Sequence, residues 1–265
     1  MGILMQNFGL KVYSIDFIKN ISFTKDAEKA LKEGKFGYME LFALPDSFDK
    51  TWRDIENFKG IKTIIHAPHA RFDLNPSEPD LFKENQHKLY DSQRFADMLD
   101  AEMIILHPGF GHDDAGFNEN IRQFKAFNEP RLAVENLPLI CSSTHRKLQG
   151  VTPDEIKRFI VEVGCKFCLD FSHAICGANS FKRDVYEVLD EFKGLKPAMY
   201  HLCDGDMADI DDAHWHYGEG NYDLKRLVND YTSDNALITM ETGHGIPSSV
   251  QPWLDDLTYI QHLIA

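Results

Sequence analysis

Short apolar runs alternate with longer amphipathic segments along the whole of this 265-residue chain. A short, mostly apolar run is the pattern of a strand that is buried on both faces. The sequence therefore predicts eight strands, at residues 9–17, 36–44, 61–66, 102–107, 131–136, 165–171, 199–202 and 236–241.

The segments between these runs carry the signals of helix starts and ends. Thr24 is a candidate N-cap for a helix that ends at Gly34, and Thr152 opens a capping box for a helix that ends at Gly164. Amphipathic patterns predict further helices at residues 48–58, 81–99, 117–127, 181–192, 222–231 and 250–264.

Eight strand–helix units fit a closed (β/α)8 TIM barrel, for which about 250 residues is a typical length. An open, doubly wound sheet needs fewer units and usually places a glycine-rich phosphate loop after its first strand. No such loop follows Tyr13-Ser14-Ile15-Asp16, and no linker or repeat divides the chain. We therefore predict an α/β fold with a single TIM-barrel domain over residues 1–265.

Composition and charge limit the possible binding partners and the possible cellular compartment of the protein. A formal net charge of −14 argues against a broad basic surface for nucleic acid, although bound divalent metals would add positive charge. The sequence contains no stretch of about eighteen consecutive apolar residues, so no membrane span is predicted. Residues 1–5 lack the features of a secretory signal, and five scattered cysteines fit reduced thiols. We expect a cytoplasmic protein that does not enter the membrane, and its oligomeric state is left open.

Six consecutive predicted strands, the third to the eighth, deliver His, Asp or Glu to their carboxyl ends. In a TIM barrel these ends share one rim, where the active site lies. Imidazole and carboxylate together suit zinc or manganese better than calcium or magnesium, and nine ligands suit two or three ions. The nine candidate ligands are His66, His107, Glu135, Asp170, His173, His201, Asp212, His214 and Glu241.

The motifs around these residues resemble those of the endonuclease IV family (AP endonuclease family 2), within the xylose isomerase-like TIM barrel superfamily. The resemblance extends in order from about residue 61 to residue 242. Its most specific part is Asp212-Ala213-His214 followed by Gly218-Glu219-Gly220-Asn221. The other motifs are His66-Ala-Pro, His107-Pro-Gly, Glu135-Asn, Asp170-x-x-His173, His201-Leu-x-Asp204 and Glu241-Thr242.

The resemblance implies a trinuclear zinc enzyme, and manganese or iron would suit the same ligands. The implied reaction is hydrolysis of the phosphodiester on the 5′ side of an abasic site in DNA, with Glu135 or Glu241 orienting or deprotonating the nucleophile. The implied groups of ligands are site 1 (His66, His107, Glu135), site 2 (Glu135, Asp170, His201, Glu241) and site 3 (His173, Asp212, His214).

Several segments depart from the pattern of the abasic endonucleases. His69 stands where that family carries an aromatic residue, and Leu137-Pro138-Leu139 replaces Thr-Ala-Gly. The first strand lacks Gly-x-His-x-Ser, and the loop at residues 44–50 is acidic. A complete set of ligands beside altered loops predicts the same metal chemistry on a smaller or different phosphoester. Candidate contacts to phosphate are Arg71, Arg146 and Lys147.

A sugar (or sugar phosphate) isomerase or epimerase of the same superfamily is the alternative. Site 2 alone would hold its divalent metal, and two carboxylates beside the sugar carbonyl would transfer the proton. This hypothesis leaves the other five ligands, those found only in sites 1 and 3, without a role, so we rank it second. A metal-binding protein without turnover is a third class, which no sequence feature favours.

Overall fold

Eight parallel strands close into a barrel in the computed structural model, which describes residues 7–111, 113–142, 144–243 and 248–265. The strands are β1 (Phe8–Tyr13), β2 (Tyr38–Phe42), β3 (Thr63–His66), β4 (Ile104–Leu106), β5 (Leu132–Glu135), β6 (Lys166–Asp170), β7 (Met199–Leu202) and β8 (Ile238–Met240). Each strand pairs with the next along the chain, and β8 pairs with β1 to complete the ring. The predicted TIM-barrel fold is confirmed.

Helices surround the barrel, and the main hydrophobic core lies between them and the outward-facing residues of the strands. No described helix is long and apolar enough to cross a bilayer. The helices are α1 (Asp16–Lys19), α2 (Ile21–Lys32), α3 (Phe48–Ile55), α4 (Phe82–Leu99), α5 (Asp114–Ala126), α6 (Pro153–Arg158), α7 (Phe171–Ser180), α8 (Val185–Gly194), α9 (Leu224–Tyr231) and α10 (Gln251–Ile264).

Two of the helix signals work as the sequence predicts. The Thr152 hydroxyl accepts a hydrogen bond from the Glu155 N–H, and the Glu155 carboxylate accepts from the Thr152 N–H, which makes a complete capping box at the start of α6. Gly34 follows the end of α2, and Gly164 follows the π-helical segment Phe159–Val163 that continues α6; both are left-handed, with φ of +70° and +80°.

Three helix starts were predicted wrongly, and one of them is that of α5, which begins at Asp114, three residues before the predicted position. α2 begins at Ile21, so Thr24 lies inside it and its hydroxyl donates to the Ile21 carbonyl oxygen instead of capping the helix. The helix predicted at residues 181–192 is α8, which begins at Val185, and a separate helix, α7, directly follows β6. Eight of the ten residues of α7 are buried, so the amphipathic pattern that reveals surface helices is absent there.

The inside of the barrel has an apolar layer below and a polar layer above. Side chains alternate along each strand, so every second residue points inward. The polar layer lies at the carboxyl ends of the strands, where the loops of the candidate site begin. The lower layer contains Tyr38, Ile64, Met103, Ile105, Ala133, Cys168 and Met199.

Candidate metal centre

The barrel brings all nine predicted ligands to one rim. Glu135, Asp170 and His66 end their strands, and His201 lies in β7. His107 and Glu241 come one residue after β4 and β8, His173 lies in the first turn of α7, and the β7–α9 loop contributes Asp212 and His214. Within each of the three sites the ligand atoms lie within 4.8 Å of one another. The groups that the resemblance implies are therefore compact clusters, and their role as metal ligands stays a prediction.

Site 1 is organised around one oxygen of Glu135. His66 Nε2 lies 3.2 Å and His107 Nε2 lies 3.1 Å from Glu135 Oε2. Burial lowers the pKa of His107 to about 4, because an imidazolium would lose its hydration there. His107 is therefore neutral at physiological pH, as a metal-binding imidazole must be.

Site 2 contains buried polar atoms that lack hydrogen bonds. His201 Nδ1 lies 3.2 Å from Glu241 Oε1, 3.3 Å from Glu135 Oε1 and 3.8 Å from Asp170 Oδ2. Neither His201 Nδ1 nor Glu135 Oε1 hydrogen-bonds to any described residue. Leaving such atoms buried and unsatisfied is costly, and a divalent cation among them would satisfy both. The residues of site 2 thus fit a metal ion.

Site 3 is organised around Asp212. Its Oδ1 accepts a hydrogen bond from the Ser172 hydroxyl at 2.6 Å, which leaves Oδ2 for the imidazoles. His173 Nε2 lies 3.3 Å from Oδ2, and His214 Nε2 is also paired with it. One carboxylate oxygen and two imidazole nitrogens are a usual set of three zinc ligands.

Main-chain carbonyl groups set the orientation of three imidazoles. The Nδ1 atoms of His66, His173 and His214 lie 2.8, 2.9 and 2.8 Å from the carbonyl oxygens of Ala67, Asn136 and Glu241. A carbonyl oxygen only accepts, so each Nδ1 carries a proton, and each Nε2 faces the cluster, where it can give its lone pair to a metal ion. Metal-binding histidines in proteins are usually held in this way.

Asp170 links two strands through its main chain and two sites through its carboxyl group. Its Oδ1 caps α7 by accepting from the His173 N–H at 2.7 Å, and the Asn136 side chain bonds both the N–H and the C=O of Asp170, at 2.8 and 2.9 Å. Burial, followed by repulsion from the neighbouring carboxylates, raises the pKa of Asp170 to about 7. For His173, burial is outweighed by the carboxylates of Asp170 and Asp212, which raise its pKa well above 6.5. Without a cation, the rim therefore holds protons that metal binding would displace.

Sequence reasoning missed Lys11 and Glu40, which complete the polar layer. Glu40 Oε2 lies 2.9 Å from His201 Nε2 and accepts from the Thr239 hydroxyl at 2.6 Å, so a carboxylate orients the His201 ring. The Lys11 ammonium lies 3.2 Å from Glu40 Oε1 and is also paired with Glu241. A charged residue within each of the apolar runs of β1 and β2 was the signal that could have revealed them.

The glycines of the β7–α9 loop are explained by Asp204. The Asp204 carboxylate accepts from the N–H groups of Gly218, Gly220 and Tyr222 at 2.8, 3.1 and 3.2 Å, which folds the loop that carries Asp212. A Cβ atom on Gly220 would lie 2.3 Å from the Gly205 carbonyl oxygen, so this turn needs glycine.

A cavity of about 780 Å³ opens above the clusters. Its floor includes ligands of all three sites, and the β5–α6 loop (residues 137–142 and 144–151) forms one wall. His69 lines it and stacks on His107 with ring centroids 5.1 Å apart. Of the candidate phosphate contacts, Arg71 lines the cavity, whereas Arg146 and Lys147 do not.

Comparison with known proteins identifies the family of this chain. The family model described as the xylose isomerase-like TIM barrel matches residues 28–261. The chain belongs to this family. The endonuclease 4 of Thermus thermophilus is 24% identical over 254 residues, which covers 86% of this chain and 92% of that protein. The probable endonuclease 4 of Pediococcus pentosaceus is 24% identical over 214 residues, covering 76% of this chain and 69% of that protein.

Solved structures whose names indicate different reactions share the fold about equally well. A D-tagatose 3-epimerase-like protein has a TM-score of 0.67 at 17% identity, covering 98% of this chain and 97% of its own. Endonuclease IV from Thermus thermophilus has a TM-score of 0.65 at 19% identity, covering 97% of both chains. The members of the family are enzymes, and their shared fold does not distinguish hydrolysis from epimerisation.

Proposed function

We propose that the protein is a zinc-dependent phosphoester hydrolase with two or three metal ions, acting on the phosphodiester 5′ to an abasic site in DNA or on a related phosphoester. The observation that carries this proposal is the complete site 3, in which Asp212 faces two imidazoles beyond the four residues of site 2. Site 1 adds two further histidines beside Glu135. A single-metal isomerase has no use for these five additional ligands.

The residues of the cavity suit an anionic substrate. Bound divalent ions would activate a water molecule and stabilise negative charge on the phosphoryl group. Glu135 and Glu241 both lie beside His201 Nδ1, at 3.3 and 3.2 Å, so either can orient or deprotonate the nucleophile. The cationic Lys11 offsets the charge of Glu40, so the carboxylates among the ligands are the main negative charge that the metals must balance.

The alternative is a sugar or sugar phosphate isomerase or epimerase. The observation that favours it is that site 2 is complete by itself, with Glu135 and Glu241 both beside Nδ1 of its single imidazole. Several solved relatives with the same fold are named as epimerases of simple sugars. Under this alternative, site 3 would contribute nothing to turnover.

Metal content measured together with turnover separates the two proposals. Protein loaded with zinc is analysed by plasma mass spectrometry and assayed with bis(4-nitrophenyl) phosphate and with D-tagatose. We expect more than one equivalent of zinc in the wild type, and Asp212→Asn should lose one equivalent and about 100-fold or more of the hydrolytic rate. Asp211→Asn, a neighbouring exposed carboxylate, is the matched control and should change neither.

One outcome would refute hydrolysis and support the alternative. The wild type would then hold a single equivalent of zinc and convert D-tagatose to another sugar. Asp212→Asn would leave that activity unchanged, and Glu241→Gln would abolish it.

A further inference from the structure

We propose that the site acts on a small organic phosphate whose organic part is largely apolar, and not on a phosphate within duplex nucleic acid. This inference rests on the proposed phosphoester hydrolysis and names the substrate class. Three independent features of the cavity carry it: a preformed apolar wall, one unpaired cation, and an acidic rim.

The wall is formed by the β5–α6 loop. This loop pairs with itself, since the Leu148 N–H donates to the Leu139 carbonyl at 2.9 Å and the Cys141 N–H to the Arg146 carbonyl at 2.9 Å. Leu137 and Leu148 pack against Phe110 in a small apolar cluster of their own. The wall is therefore held in place before any ligand binds.

The cavity has the size and lining of a small-molecule site. Its volume of about 780 Å³ lies within the range of roughly 300–1,000 Å³ found for pockets that enclose small ligands. Apolar side chains of the β5–α6 loop and of α10 line the cavity above the clusters of candidate ligands. They include Leu137, Pro138, Ile140, Leu148, Pro252 and Trp253. A substrate with an apolar group attached to phosphate would cover this wall.

The unpaired cation is Arg71. Its side chain is exposed and lines the cavity, and no described carboxylate forms an ion pair with its guanidinium. A guanidinium binds phosphate oxygens in a bidentate manner. Arg71 can thus hold a phosphate next to the clusters, or a second anionic group of the same molecule.

The rim around the cavity does not suit the backbone of a duplex. A protein that binds duplex DNA typically neutralises about six to ten phosphates with Lys and Arg. Here the loop after β2 presents Asp46, 71% exposed, and the loop after β7 presents Asp206, Asp209 and Asp211, none of them paired with a described Lys or Arg. Of the basic residues on this side, Arg146 is stacked on Phe110 at 4.1 Å.

Arginine substitutions in the zinc-loaded enzyme test the inference. Arg71→Gln is compared with Arg53→Gln, a matched substitution of an exposed arginine on α3 that lies outside the cavity lining. We expect Arg71→Gln to raise the KM for bis(4-nitrophenyl) phosphate about tenfold, since it removes a charge-assisted contact to phosphate. Arg53→Gln should change it less than about twofold. A 30-base-pair duplex with one tetrahydrofuran abasic site should be neither bound at micromolar protein in 0.1 M salt nor nicked.

The outcomes separate this inference from the proposed function. Efficient nicking of the duplex, or equal effects of the two arginine variants on the small ester, would overturn the small-substrate inference and leave hydrolysis intact. Calorimetric binding of phenyl phosphate without turnover of either ester or duplex would instead overturn the hydrolytic function. Turnover of the small ester that depends on Arg71, with an intact duplex, would support both.

Discussion

The carboxylate of Glu40 offers the sharpest test of the polar layer. The side chain is fully buried and lies against three donors: His201 Nε2 at 2.9 Å, the Thr239 hydroxyl at 2.6 Å and the Lys11 ammonium at 3.2 Å. Glu40→Gln keeps the shape and removes the charge. Glutamine replaces one of the two carboxylate oxygens with an NH2 group, and both oxygen positions face a donor. At least one buried donor therefore loses its acceptor.

The expected magnitude follows from burial. Breaking a buried ion pair by removing one partner costs about 3–5 kcal/mol, and the lower end applies here because Lys11 keeps its pairing with Glu241. Glu28→Gln is the matched control, since Glu28 forms an exposed i,i+4 pair with Lys32, and such pairs are worth about 0.3–0.5 kcal/mol. The contrast between these two identical substitutions should therefore be at least about 2 kcal/mol.

The assay is urea unfolding of the chelated protein, followed by chelator competition for zinc. We expect Glu40→Gln to lower the midpoint of unfolding without changing the m-value. Because Glu40 orients His201, the variant should also bind zinc about tenfold or more weakly at site 2. If Glu40→Gln were no less stable than Glu28→Gln and bound zinc like the wild type, the assignment of Glu40 as the group that fixes His201 would be refuted.

Three further predictions concern the loop, the protons and a helix cap. Gly220→Ala should lower the free energy of unfolding by about 1–3 kcal/mol in urea and weaken site 3, because its Cβ would meet backbone atoms. Gly194→Ala, with open space around its Cβ, is the control and should have neither effect. Equal stabilities of the two variants would contradict the prediction. Zinc binding at pH 6 should release the proton that Asp170, with its pKa of about 7, carries in the metal-free protein, so the apparent affinity rises with pH through 7, and His173, whose pKa is raised well above 6.5, extends the rise. Protonated Asp170 also stabilises the chelated protein; this contribution is full below pH 3.8 and is lost as the pH rises through 7. The proton release itself would be excluded if the calorimetric enthalpy of zinc binding did not depend on the buffer. Thr152→Ala should cost about 1 kcal/mol of unfolding free energy, and no change in the urea midpoint would refute the capping box.

The fold was predictable because the strands of a TIM barrel are buried on both faces and appear as separate apolar runs. The rim followed from the same logic, since parallel strands carry their last residues to one edge. Lys11 and Glu40 were missed because they lie in the middle of apolar runs and not at strand ends. Only the pairing register of β1 with β2 places the two residues side by side. The helix α7 was missed because it is buried on nearly all sides.

The clustering of the ligands could be expected from the sequence, but the substrate could not. The ligands come from strand ends, whose positions the fold fixes, whereas the cavity wall comes from a loop whose pairing depends on contacts with Phe110. Loop geometry of that kind depends on tertiary packing, which no local pattern in Leu137-Pro138-Leu139 reveals.

The main-chain acceptors of His66, His173 and His214 have an evolutionary consequence. A carbonyl oxygen is present whatever side chain the residue carries, so point substitutions at Ala67 or Asn136 leave the hydrogen-bond acceptor in place. The imidazoles can therefore keep their aim while the surrounding loops accumulate changes. A scaffold built in this way can exchange one substrate for another by altering loop side chains alone, without re-evolving the chemistry at its centre.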